Sequence, residues 1–113
     1  MATVAQLRAV ALSLPRTEEH LIRDRVKFKV GRIVYAALSR DETQLGFGYP
    51  REERDELIAS APEVFFLPIP SELRYQWVES HLARLAPDEL TELITDAWRM
   101  VVPKSVARQH LGS

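Results

Sequence analysis

Cysteine is absent from the 113-residue chain. That excludes disulfides, thiolate metal sites and a cysteine nucleophile. It is compatible with a reducing compartment, so a cytoplasmic location is the expectation. Long hydrophobic runs are lacking too: none approaches the roughly 18 residues of a membrane span. The amino terminus shows no basic region followed by an apolar block and cleavage site, so neither export nor membrane association is expected. Histidine is scarce: His20, His81 and His110 fall in different predicted elements, with no local metal-ligand spacing. Surface or packing roles are expected for all three. No Gly-rich phosphate loop, nucleophile elbow or Ser/His/Asp cluster is present, so the sequence offers no basis for an enzyme and none for a cofactor.

What the chain does contain suits one soluble domain spanning residues 1–113. Its net charge is −1 but unevenly spread. Residues 1–50 carry eight Lys/Arg against five Asp/Glu, and residues 51–113 seven against eleven, giving +3 and −4. A field over the whole protein that attracts nucleic acid is not expected; a local patch is.

That patch centres on Ile22–Val34, IRDRVKFKVGRIV. Arg23, Arg25, Lys27 and Lys29 fall on one parity; Ile22, Val26, Phe28 and Val30 fall on the other. A β-strand sends alternate side chains to opposite faces, so one face would be apolar and the other a row of four cations. Ile22–Val30 therefore reads as the first long strand, with Asp24 the place where it could be interrupted. Gly31-Arg32 reads as a tight turn into a partner strand, Ile33–Ser39. In that register Val30 faces Ile33, Phe28 faces Tyr35 and Val26 faces Ala37, while Lys29 and Lys27 neighbour Val34 and Ala36.

Around this hairpin, Thr3–Leu14 predicts a helix with a Thr3/Gln6 capping box and an apolar stripe at Val4, Leu7, Val10, Ala11 and Leu14, stopped by Pro15. Arg16–His20 reads as a polar connector. Thr43–Tyr49 is a third strand whose Gly46 and Gly48 leave one face bare. Pro50 opens a second helix to about Ser60, with Leu57, Ile58 and Ala61 inward. The prolines of Glu63–Ile69 argue against a central strand. Tyr75–Leu85 is a fourth long strand. Pro87 opens the last main helix, with Asp88 and Glu89 in its first turn and a core stripe at Leu90, Leu93, Ile94, Ala97, Trp98 and Val101. Lys104–His110 is a terminal turn or short helix. The fold class is α+β, an antiparallel sheet with helices packed on one face.

Several stretches resemble the MmcQ/YjbR family of small bacterial proteins: ALSLP (Ala11–Pro15), VKFKVGRIVYA (Val26–Ala36), PEVFF (Pro62–Phe66), YQWV (Tyr75–Val78) and DELTELITDAWRMVVPK (Asp88–Lys104). Their order and spacing span nearly the whole chain. The resemblance implies a compact α+β domain related in shape to frataxin-like CyaY, and a DNA-binding role through a double-wing arrangement. Iron binding, which that shape would suggest, needs clustered oxygen ligands. The first helix offers no carboxylate, and the acids at Glu52, Glu53, Asp55 and Glu56 are interleaved with Arg51 and Arg54, so no metal is expected.

The functional expectation is a non-enzymatic DNA-binding module. Arg23, Arg25, Lys27 and Lys29 would contact phosphates at intervals of about 6.6 Å, from a rise of about 3.3 Å per residue. Arg32 at the turn tip would enter a groove, and base specificity would be low. Tyr75, Trp77, Phe65 and Phe66 either stack on bases or belong to the core, the commoner use of such spacing. Glu79 and Asp24 are isolated carboxylates, Asp24 a local charge partner. The competing reading is a solvated face whose cations discourage edge-to-edge aggregation. Other partners open to the same chain are an acidic protein, or a small ligand on the face bared by Gly46 and Gly48.

Overall fold

Thr3 caps helix α1 (Val4–Ser13) through the reciprocal box its sequence predicts: Gln6 N–H donates to Thr3 Oγ1 at 3.2 Å and Thr3 N–H to Gln6 Oε1 at 3.0 Å. Leu7, Ala11 and Leu14 are buried, and Val4 and Val10 pack partly against them. The computed structural model describes residues 1–112.

After Pro15 the chain enters a six-stranded antiparallel sheet with spatial order β1-β2-β3-β4-β6-β5. The strands are β1 (Thr17–Ile22), β2 (Arg25–Val30), β3 (Ile33–Leu38), β4 (Gln44–Gly48), β5 (Phe65–Phe66) and β6 (Trp77–His81). The expected long first strand is thus two strands. Arg23 and Asp24 form the turn between them, with φ of 53° and 65°. Positive φ at both central residues is what lets a two-residue turn match the twist of the strands it joins. The expected polar connector from Arg16 to His20 is largely β1, an edge strand. Its inward-facing charge, Glu19, is held by Arg8 of α1 at 2.8 Å and 3.1 Å, a device that keeps an edge from templating further strands.

The second turn falls where the sequence places it, at Gly31-Arg32, with Val30 opposite Ile33. Gly31 takes φ of 61°, which glycine adopts without steric cost. Beyond Lys29 opposite Val34 the register shifts, and Phe28 faces Ala36 and Lys27 faces Ala37. The expected Phe28–Tyr35 and Val26–Ala37 pairs are therefore absent. A β-bulge leaves Tyr35 as the extra residue of β3. Tyr35 and Ala36 are both buried in the core, and the Tyr35 hydroxyl lies 2.9 Å from Thr17 Oγ1.

Directly opposed residues lie on the same side of a sheet. Phe28, Ala36, Leu38, Leu45, Phe47, Phe65, Val78 and Ser80 line the covered side, joined through the pairs Phe28–Ala36, Ala36–Phe47, Leu38–Leu45, Phe47–Val78, Leu45–Ser80 and Phe65–Ser80. Helices α1 and α3 (Pro87–Arg99) close over it. The buried stripe of α3 is Leu90, Ile94, Ala97 and Trp98, with Leu93 and Val101 partly buried. The Trp98 indole N–H donates to the Pro15 carbonyl at 2.8 Å, tying α3 to the end of α1.

Helix α2 (Arg51–Ser60) packs against β5 and β6. The expected fourth strand is shorter than Tyr75–Leu85: it ends at His81, and Leu82–Arg84 form a 3-10 turn. Lys104–Leu111 is a helix, α4. Among the described residues no helix is long and apolar enough to cross a membrane.

Candidate functional site

Among the described residues no α-helix packs on the other side of the sheet, which is bordered only by the segment before β6. The pairs Ile22–Arg25, His20–Lys27 and Glu18–Lys29 place these six residues there, with Val34 and Ala37 beside the lysines. Arg25, Lys27 and Lys29 thus share one face, as their parity predicts, and all three are half-buried. One of the four cations expected in the row leaves it: Arg23 is an exposed turn residue, because positive φ takes it out of the strand. Arg32 is exposed in the turn at the opposite end of β2, as expected. Ile22, expected on the apolar side, pairs with Arg25 on the open one, since a two-residue turn sets i opposite i+3 and so inverts which parity faces the helices.

None of these five cations makes an ion pair within 4.0 Å among the described residues; the pairs present are Arg8–Glu19 and Arg99–Asp96. Asp24, expected as a local charge partner, is in neither of them. Arg25 spends its Nε on the Leu38 carbonyl at 3.0 Å, and its two terminal nitrogens have no protein acceptor among the described residues.

Across β3 and β4 the same face becomes concave. Gly46 does not leave it bare. A Cβ there would stand 2.5 Å from both Trp77 Nε1 and Glu79 Oε2, so the glycine makes room for a pair that covers it. Within that pair the Trp77 indole donates to Glu79 at 2.7 Å. At Gly48 a Cβ would meet Ala97 and Met100 at 3.8 Å, which is ordinary contact. Burial pushes the Glu79 carboxyl above its usual range and the nearby Glu72 adds to this, while the Trp77 hydrogen bond and the Arg25 charge pull the other way.

Beside this pair lies a cleft of about 620 Å³ between the sheet and the 67–72 segment. Arg25, Gln44 and Glu79 form its floor and side, Arg40 and Glu72 its charged rim, and Phe66, Leu67 and Ile69 its apolar wall. A smaller hollow of about 210 Å³ continues along Lys27 and Trp77 and shares Arg25 and Glu72 with it. Asp41 at the mouth is already committed, accepting from Ser39 Oγ, Thr43 Oγ1 and Thr43 N–H at 2.7–3.1 Å. These bonds hold its carboxyl below the usual range, that from Ser39 contributing most.

The loop that borders the cleft is fixed from behind by Arg54 of α2, which sequence reasoning missed. This buried guanidinium donates to the carbonyls of Leu73, Tyr75 and Trp77 at 3.0–3.2 Å. A signal for it existed: Arg54 precedes Leu57 by three residues and Ile58 by four, which places it on their inward face. The cleft residues from β4, β5 and the 67–72 loop had no such local signal, because the sheet order that gathers them is a long-range property.

The histidines serve packing and surface contacts. His81 stacks on Phe66 at 4.8 Å between centroids, His110 meets Trp98 edge-on at 5.4 Å, and His20 Nε2 lies 3.0 Å from Glu18. Of the aromatics, Phe65 is core, Phe66 is half-buried at the cleft and Trp77 at the smaller hollow, and Tyr75 is exposed beneath the Arg74 guanidinium. Among the described residues no group of three or more His, Asp and Glu could hold a metal ion.

A six-stranded antiparallel sheet, helices on one side and a charged, partly hollowed surface on the other, defines a two-layer α+β protein with one open sheet face. A family model described as YjbR matches residues 12–100, and the chain belongs to the YjbR family. The crystal structure of the Deinococcus radiodurans protein DR2400, which carries the domain DUF419, is similar along its length. The TM-score is 0.79 at 26% identity, over 99% of this chain and 89% of that one. No curated protein matches the chain.

Proposed function

We propose that the protein is a non-enzymatic nucleic-acid-binding module that lays the open side of β2 along a phosphate backbone. The observation that carries this reading is the unpaired row of Arg25, Lys27 and Lys29 on one uncovered face. Arg23 and Arg32 flank the row at its two ends, so the turns that bound β2 act as paired wings. No side chain in the row is fixed for hydrogen bonding to base edges, and the binding is therefore of low sequence specificity.

Fluorescence anisotropy with duplex DNA over a salt series tests this. Three row contacts predict a log-log slope of about −2.7, and engagement of both flanking arginines steepens it to about −4.5, at about −0.9 per contact. Lys27→Ala with Lys29→Ala weakens binding without unfolding the protein. A flat salt response, or no binding at low salt, rejects the reading. Partners that survive nuclease treatment in a pull-down would reassign the face to an acidic protein.

A further inference from the structure

The cleft beside Glu79 is more than a nucleic-acid backbone needs. We propose that it is a second binding site, sharing Arg25 with the cation row, for a small organic carboxylate with an apolar body, such as an aryl-alkanoate. Its volume, about 620 Å³, falls in the range of small-molecule sites. Its chemistry is divided: charged groups at one side, Phe66, Leu67 and Ile69 at the other. Leu67 and Ile69 are 48% and 62% exposed, a large apolar area left to water at the mouth.

The recognition element is Arg25. Its Nε bond to the Leu38 carbonyl fixes the guanidinium against the sheet, and its two terminal nitrogens remain free. A planar carboxylate meets such a fork with two parallel hydrogen bonds. Arg40 supplies a second positive charge at the rim, and Gln44 a neutral donor on the floor. A phosphate monoester suits the site less well. It would bring close to two negative charges among Glu72, Glu79 and Asp41, where a carboxylate brings one. An ammonium ligand would face the unpartnered Arg25 fork.

The two tryptophans provide the test. The Trp77 indole N–H is bonded to Glu79 at the cleft, and the Trp98 indole N–H to Pro15 within the helical layer. Nitrogen-15 NMR of the intact protein follows both signals during titration with 3-phenylpropionate, 3-phenylpropylamine, 3-phenylpropanol and phenyl phosphate. The expected result is a saturable shift of the Trp77 signal with 3-phenylpropionate alone, while Trp98 stays fixed. Arg25→Met should weaken that binding at least tenfold. Arg25→Lys keeps the charge and the bond to Leu38 within reach but loses the fork, and should weaken it several-fold even if the methionine variant fails to fold.

No saturable shift, an equal response to the amine or the alcohol, tighter binding of phenyl phosphate, or parent-like affinity in the folded Arg25 variants would each overturn the proposal. Lys29→Ala with Arg32→Ala separates the two sites, since neither residue lines the cleft. That variant should lose DNA affinity and keep the carboxylate response; loss of both would overturn the assignment of a second site.

Discussion

Glu79 shows how one residue can be set against its surroundings. Its carboxyl sits half-buried over a glycine whose missing Cβ leaves it room, with one oxygen occupied by the Trp77 indole. Its folded pKa is raised above the unfolded value, so the folded state holds the proton more tightly. Stability therefore declines as pH rises from the ordinary glutamate value of 4.5 through the raised folded value, and the full cost is present above it. Glu79→Gln keeps an acceptor for the indole and removes the charge. Urea unfolding from pH 4 to 8 should show the parent losing stability relative to the variant as pH rises. Superimposable pH profiles would refute this account.

Among the elements, α2 is the least apolar helix and owes its place to a charge. Arg54 ties three alternate carbonyls, from Leu73 in the loop to Trp77 at the start of β6, to the helix, and its loss would strand them. Arg54→Met preserves much of the volume and should cost about 2–3 kcal/mol in chemical denaturation, the scale of buried acceptors left unpaired. A loss below about 0.5 kcal/mol, the level of an ordinary surface change, would show that the loop holds itself.

The elements also show what the sequence made legible. The helices were readable because each carries its own boundary chemistry: the Thr3/Gln6 box, Pro50, Pro87 and Pro103. The Gly31 turn was readable for the same reason. The Arg23-Asp24 turn was not, because its residues are not the glycine or asparagine that such backbone angles favour. The turn, moreover, inverts which parity faces the helices, so reading one alternation from Ile22 to Val30 hid it. The cation row was legible in its strand part, Arg25 to Lys29, and overextended at Arg23. The cleft was illegible because Arg25, Gln44, Phe66 and Glu79 meet only through the order of the strands.

At the scale of the molecule, the two layers share one core, from Leu7 of α1 through Phe47 of β4 to Trp98 of α3. A single core of this kind unfolds as a unit. Each tryptophan reports a different layer, so Trp98→Phe leaves a probe of the open face and Trp77→Phe a probe of the helical layer. Their fluorescence transitions in urea should coincide with each other and with the loss of circular dichroism, once each is compared with its own variant. Separated midpoints would mean that the cleft side opens independently. The opposed charges of the two chain halves nearly cancel in the whole, so attraction to an anion depends on the local row and is confined to about 8 Å at physiological salt.

The bulge at Tyr35 has a consequence for all of this. A ladder continued without interruption from Val30 and Ile33 would turn Leu38 to the outside and Ala37 to the inside, and every strand beyond it would follow. One unmatched tyrosine resets the phase midway along β3. Through it the lysines of the first ribbon and the acid of the last strand come to look out in a common direction, and two half-sheets that would otherwise face opposite ways make one continuous surface.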